Sequence, residues 1–172
     1  IAALYCYDRK LTSERLEKIL LAVILPIISM TIYLYLYTPN IQDILTGTQS
    51  NFEASGGFGP NQVATILGLG MFILFGRLLL INNRFINIID LALLIFISYR
   101  GIVTFSRGGV ITAGICAVIF FIFYFRRANP RLKASLVPKG VVILVAVIFT
   151  WLYTSFSTFG LIDKRYANQD AA

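Results

Sequence analysis

The sequence predicts an all-α fold, a polytopic bundle of transmembrane helices. Composition is the first reason: 58% of the 172 residues are hydrophobic and 13% are charged, where a water-soluble domain sits near one half and about one quarter. The second is a mean hydropathy of +0.79. The third is the grouping of the apolar residues into five runs. Each is close to the roughly 20 residues a helix needs to cross a hydrocarbon core about 30 Å thick. That balance excludes an ordinary soluble enzyme and a disordered tail.

The first run covers residues 19–38. It is too long for a cleaved signal peptide, holds Pro26 in its middle and has no small-residue cleavage site after it. The second covers 62–81, with Pro60 well placed for the first helical turn. The third covers 86–105 and is apolar except for Asp90 and Arg100. The fourth and fifth cover 109–125 and 140–157. A loop rich in Gly, Asn, Ser and Gln joins the first two, over residues 39–61. Tight turns are expected at 82–85 and 106–109. No internal repeat and no soluble domain interrupts this single membrane domain.

Charge sets the expected orientation. Residues 126–139 carry Arg126, Arg127, Arg131, Lys133 and Lys139 and no acid. With the N-terminal stretch in the cytoplasm, eleven Lys and Arg fall inside and four outside, which follows the positive-inside rule. The net charge of +7 therefore reads as basic loops on one membrane face, not as a nucleic-acid surface. The absence of His excludes imidazole chemistry from within these residues. Cys6 and Cys116 lack metal or disulfide spacing. Ile1 to Tyr7 reads as the tail of an earlier membrane helix, and residues 158–172 as the start of an extracytoplasmic loop. The chain reads as a central piece of a larger polytopic protein.

Several polar residues are candidates for chemistry. Arg107 stands in Thr104-Phe105-Ser106-Arg107-Gly108-Gly109 at the outer mouth between two spans. The glycines allow a tight reversal and close approach. Ser106 is placed to cap the next helix, so that backbone N–H groups and a guanidinium face one spot suited to phosphate. The plainer reading is a turn whose arginine snorkels to head groups. Arg100 lies within a span, where a charge costs ~2.5–3.5 kcal/mol and should face protein or water. It precedes Arg107 by seven residues; on a continuous helix the two share a face about 10 Å apart, a spacing suited to a pyrophosphate. The plainer readings are a pair with an acid on a further helix of the larger protein, or snorkelling. Asp90 is expected to pair with Arg77 or Arg84, with a proton- or cation-coupling site as the alternative. Gly59, Asn61 and Gln62 belong to Gly56-Gly57-Phe58-Gly59-Pro60-Asn61-Gln62, a loop-to-helix start that can line a polar site. Tyr33, Tyr35, Tyr37, Tyr99 and Trp151 suit an interfacial aromatic belt. Lys164, Arg165 and Tyr166 follow the last span on the outer side, where the positives are candidate anion contacts.

Two of these stretches together resemble the O-antigen ligase and O-antigen polymerase family of bacterial envelope enzymes: Gly56 to Gln62, and Thr104 to Gly109. Asp163-Lys164-Arg165-Tyr166 resembles the segment that leads into that family's large periplasmic loop. The resemblance covers roughly residues 50–172. It implies a multi-pass inner-membrane glycosyltransferase that moves a glycan from undecaprenyl pyrophosphate to lipid A core or to a growing chain. It implies no metal, nucleotide sugar or other cofactor. Arg107 matches the motif arginine and is expected on the pyrophosphate, with Arg165 a looser match. Arg100 joins them from its burial alone, and Gly59, Asn61, Ser106 and Gly108 are expected to line the site. No general base is identified; Glu53 and Asp163 are the outward acids. The family's further arginine and histidine would lie beyond Ala172, so these residues alone are expected to be inactive. The alternative is a transporter or flippase for an envelope lipid or anion, using the same arginines for binding. A structural membrane subunit is a third reading.

Overall fold

The computed structural model describes residues 12–39 and 50–167. Ile1 to Tyr7, Cys6, Arg9, Lys10 and residues 40–49 of the long loop lie outside the described residues. The protein is an all-α bundle, without a strand among the described residues. Its helices are α1 (Ser13–Tyr37), α2 (Pro60–Leu80), α3 (Arg84–Val103), α4 (Arg107–Arg127), α5 (Pro130–Ser157) and the short α6 (Leu161–Tyr166). Five of them are long and apolar enough to cross a membrane.

Local sequence explains the boundaries. Thr12 caps α1 by accepting from the Arg15 amide at 3.4 Å. Pro60 opens α2, where its missing N–H leaves no bond unmade. Asn83 caps α3, its Oδ1 accepting from the amides of Phe85 and Ile86 at 3.0 and 3.4 Å. The largest departure from the predicted elements is α5. It begins at Pro130, not near residue 140, because hydropathy marks where a helix enters lipid and not where helical backbone starts. Arg131 to Lys139 form a polar helical extension, with Pro138 inside the helix. The expected turn at 106–109 is likewise shorter: α4 begins at Arg107, and Gly108 and Gly109 lie in its first turn.

Helix α2 is the hub, packed against α1, α3, α4 and α5. Its Val63, Leu67 and Leu74 meet Ile24 of α1 and Ile97 of α3 in one core. The approach of α2 to α4 is closest. A Cβ at Gly68 would overlap the Gly109 carbonyl, and one at Gly109 would overlap the Ala64 carbonyl. Lipid is as apolar as a leucine side chain, so such backbone-to-backbone packing, not water exclusion, holds membrane helices together. Much of α4 and α5 faces outward with apolar side chains, among them Ile115, Phe123, Val145 and Leu152.

One buried ion pair joins α2 to α3. Arg77 Nε lies 3.1 Å from Asp90 Oδ2 and its NH2 lies 3.4 Å from Oδ1, with both residues buried. The expected pairing of Asp90 is therefore with Arg77.

Gly68→Ala is expected to destabilise the intact protein by about 1–3 kcal/mol through overpacking. Gly114→Ala, whose new Cβ would meet nothing within 4 Å, is expected to be neutral. Unfolding curves in detergent check both, and equal stabilities would refute the backbone contact. Asp90→Leu is expected to cost about 3–5 kcal/mol by stranding Arg77, with most of that recovered in an Arg77→Met, Asp90→Leu double variant. A double variant no more stable than the single one would contradict this.

Candidate functional site

The loop before α2, the α3–α4 turn and α6 meet at one end of the bundle. The turn is built on Phe105, which has a positive φ of 57°. For a side chain of that bulk this left-handed conformation is a strained state held by its surroundings. Here the anchor is burial: Phe105 is fully enclosed, packed with Ile102 and Ile162. Thr104 steadies the turn from within, its hydroxyl donating to the Gly101 carbonyl at 2.7 Å and accepting from the Ser106 amide at 3.3 Å. Its carbonyl accepts from the Asn51 amide at 3.1 Å, which ties in the long loop.

Ser106 does not cap α4 through its side chain. Its hydroxyl donates instead to Asn61 Oδ1 at 2.8 Å. The expected cap is overturned because the α2–α4 approach brings Asn61 within reach. Asn61 and Gln62 lie exposed on the first turn of α2, which follows Gly59 at the N-cap. Gly108 is exposed, and a Cβ there would meet nothing within 4 Å, so space stays open beside Arg107.

Arg107 and Arg165 clasp each other's segments. Arg107 NH1 donates to the Arg165 carbonyl at 3.0 Å. Arg165 Nε donates to the Phe105 carbonyl at 3.2 Å. Two guanidiniums far apart in sequence thus sit together, half-buried and positioned by backbone. Helix α6, which no hydropathy signal marked, makes this possible. The chain leaves α5 through Phe159 and Gly160, both with positive φ, and returns so that Asp163 accepts from Trp151 Nε1 at 3.1 Å and from the Ser155 hydroxyl. A glycine just after the last apolar run was the available signal for that reversal. Asp163 is thereby engaged in holding α6, while Glu53 and Lys164 are exposed.

Tyr166 completes the cluster, and sequence reasoning assigned it no separate part. Its ring stands edge-on to Trp151, centroids 4.9 Å apart. Its hydroxyl is buried without a hydrogen-bond partner. Burial pushes the phenol up to about 12, against the opposing pull of the Arg107 and Arg165 charges.

Arg100 is placed elsewhere. Helix α3 ends at Val103, so Arg100 and Arg107 do not share one continuous helix face, and the spacing argument for a joint pyrophosphate site fails. Arg100 is 3% exposed. Its NH2 donates to the Leu34 carbonyl at 2.6 Å, the Thr38 hydroxyl at 2.6 Å and the Ala54 carbonyl at 3.5 Å. It faces protein, as the insertion cost demands, and it pins the end of α1 and the loop before α2. Tyr33 and Tyr37 of α1 stack nearby in sequence, centroids 4.9 Å apart.

Tyr166→Phe is expected to leave stability unchanged at pH 8 and to raise it at pH 11. The folded phenol value lies above the unfolded one, so the full stability is present below about pH 10 and is lost as pH rises toward about 12. Denaturation of parent and variant at both pH values checks this; parallel alkaline losses would refute it.

No family model, curated protein or solved structure matches the chain.

Proposed function

We propose that the protein transfers or polymerises an undecaprenyl-pyrophosphate-linked glycan, onto lipid A core or onto a growing polysaccharide chain, at the outer face of the bacterial inner membrane. The observation that supports this most is the Arg107–Arg165 clasp beside the first turn of α4. It joins the three stretches that carry the resemblance to O-antigen ligases and polymerases, because Asn61 of the first stretch is hydrogen-bonded to Ser106 of the second.

The chemistry follows from charge. An acceptor hydroxyl attacks the anomeric carbon, gives its proton to water and forms the new glycosidic bond. The bond from that carbon to the phosphate oxygen breaks, and undecaprenyl pyrophosphate leaves with its electron pair. Negative charge grows on the leaving oxygen. Guanidiniums already fixed by backbone carbonyls stabilise that charge more in the transition state than in the ground state, with little reorganisation. Gly108 keeps the approach open, and Gly59, Asn61 and Ser106 line it. Arg100 acts in this reading as a positioning residue, through the loop it pins.

In the intact full-length protein, Arg107→Ala is expected to lower glycan transfer by about 100-fold or more with membrane insertion and expression unchanged. Arg107→Lys is expected to fail as well, since an ammonium lacks the planar fork that serves carbonyl and phosphate together. Transfer by membranes of a deletion strain carrying each variant is the measurement. Near-normal transfer by Arg107→Ala would sink the assignment.

A further inference from the structure

We propose that a groove between the start of α3 and the polar extension of α5 binds a phospholipid head group bearing both a phosphate and a hydroxyl, phosphatidylglycerol being the simplest. The groove lies at the end of the bundle away from the arginine clasp, and the proposal does not depend on the transfer reaction. Its volume is about 530 Å³, and it is lined by Arg84, Asn87 and Ile88 on one side and by Ser135, Lys139 and Val142 on the other.

Three features select the occupant. The first is charge. Arg84 is exposed and makes no hydrogen bond or ion pair among the described residues. Lys139 stands at the back, its ammonium donating to the Ile81 carbonyl at 2.7 Å, Asn82 Oδ1 at 3.0 Å and the Leu79 carbonyl at 3.4 Å. Its hydrogens are spent on the end of α2, but its charge remains. With Arg126, Arg127, Arg131 and Lys133 close by in sequence and no acid among residues 126–139, the region attracts an anion.

The second feature is an orphaned acceptor. Asn87 donates through Nδ2 to the Ile81 carbonyl at 3.2 Å, while its Oδ1 is buried without a partner. A buried acceptor left unpaired costs free energy that a donor recovers. That oxygen is shielded as placed, but Asn87 is half-buried and lines the groove, so a turn of its carboxamide brings the oxygen to a head-group hydroxyl, a donor that a bare anion lacks. The third feature is the apolar margin. Ile88 is 67% and Val142 50% exposed beside the polar groups, which provides a path for an acyl chain that a free phosphate would not use.

The test is native mass spectrometry of the full-length protein exchanged into mixed phosphatidylglycerol and phosphatidylcholine. Phosphatidylcholine has a phosphate but neither a free hydroxyl nor net charge. The parent is expected to retain phosphatidylglycerol about tenfold over phosphatidylcholine. Arg84→Gln, at an exposed position, is expected to bring the ratio near one. Ser135→Trp, also exposed and filling the groove, is expected to do the same. Arg131→Gln, outside the lining, is expected to keep the preference. The proposal is overturned if the parent shows no preference or if Arg84→Gln and Ser135→Trp retain it; the groove then belongs to another protein segment. Equal loss in Arg131→Gln also overturns it, in favour of diffuse basic charge.

Discussion

The backbone contact between α2 and α4 controls the geometry of the site. Gly68, Gly109 and Ala64 let the two helices meet without intervening side chains. One turn further along, that proximity places Asn61 against the Ser106 hydroxyl. Lipid supplies little drive for helices to associate, so close packing and interhelical hydrogen bonds must do it. A wider separation of α2 and α4 would break the Asn61 bond and release the turn that aims the Phe105 carbonyl at Arg165. The site is thus downstream of two glycines that touch no candidate ligand.

A second constraint is the handling of charge inside an apolar bundle. Three buried or half-buried cations are assigned to oxygen acceptors, while the half-buried Lys133 lies over the Phe125 ring, 5.4 Å from its centroid. Arg77 takes Asp90, Arg100 takes the carbonyl end of α1, and Lys139 takes the carbonyl end of α2. Carbonyls at a helix end have no partner within the helix, so they are ready acceptors, and the negative end of the helix dipole favours a cation there. This use explains why Arg100 is not offered to a ligand. The Arg107–Arg165 pair differs, because it lies beside exposed residues and an open glycine. Charge at that place suits a polar reactant at the membrane surface, which is the basis of the proposed transfer.

Strain at the site is supported by packing. Phe105 and Phe159 both adopt positive φ, yet they differ in burial. Phe105 is enclosed, while Phe159 is largely exposed. The enclosed one forms the turn of the clasp and is held by the apolar contacts of Ile102 and Ile162. The exposed one precedes Gly160, whose own left-handed backbone completes the reversal into α6. Short reversals at both places keep the two arginine-bearing segments on the same end of the bundle.

What the sequence determined by itself was the class of fold, the number of long apolar helices and most of their extents. Bilayer thickness imposes a length, and apolar runs of that length are legible one at a time. That Asp90 takes a nearby cation was also legible, since a lone acid in a span needs one, but the choice of Arg77 over Arg84 was not. Tertiary structure decided the rest. It began α5 ten residues early because charged residues can be helical outside lipid. It sent Arg100 to α1 because α3 stops at Val103, which no periodicity argument could see. It gave Ser106 to Asn61 instead of to its own helix, and it folded Leu161–Tyr166 back against Phe105. Each of these turns on a backbone reversal or on a contact between residues distant along the chain. Hydropathy records how each residue meets its solvent and carries no information about which distant residue it will meet.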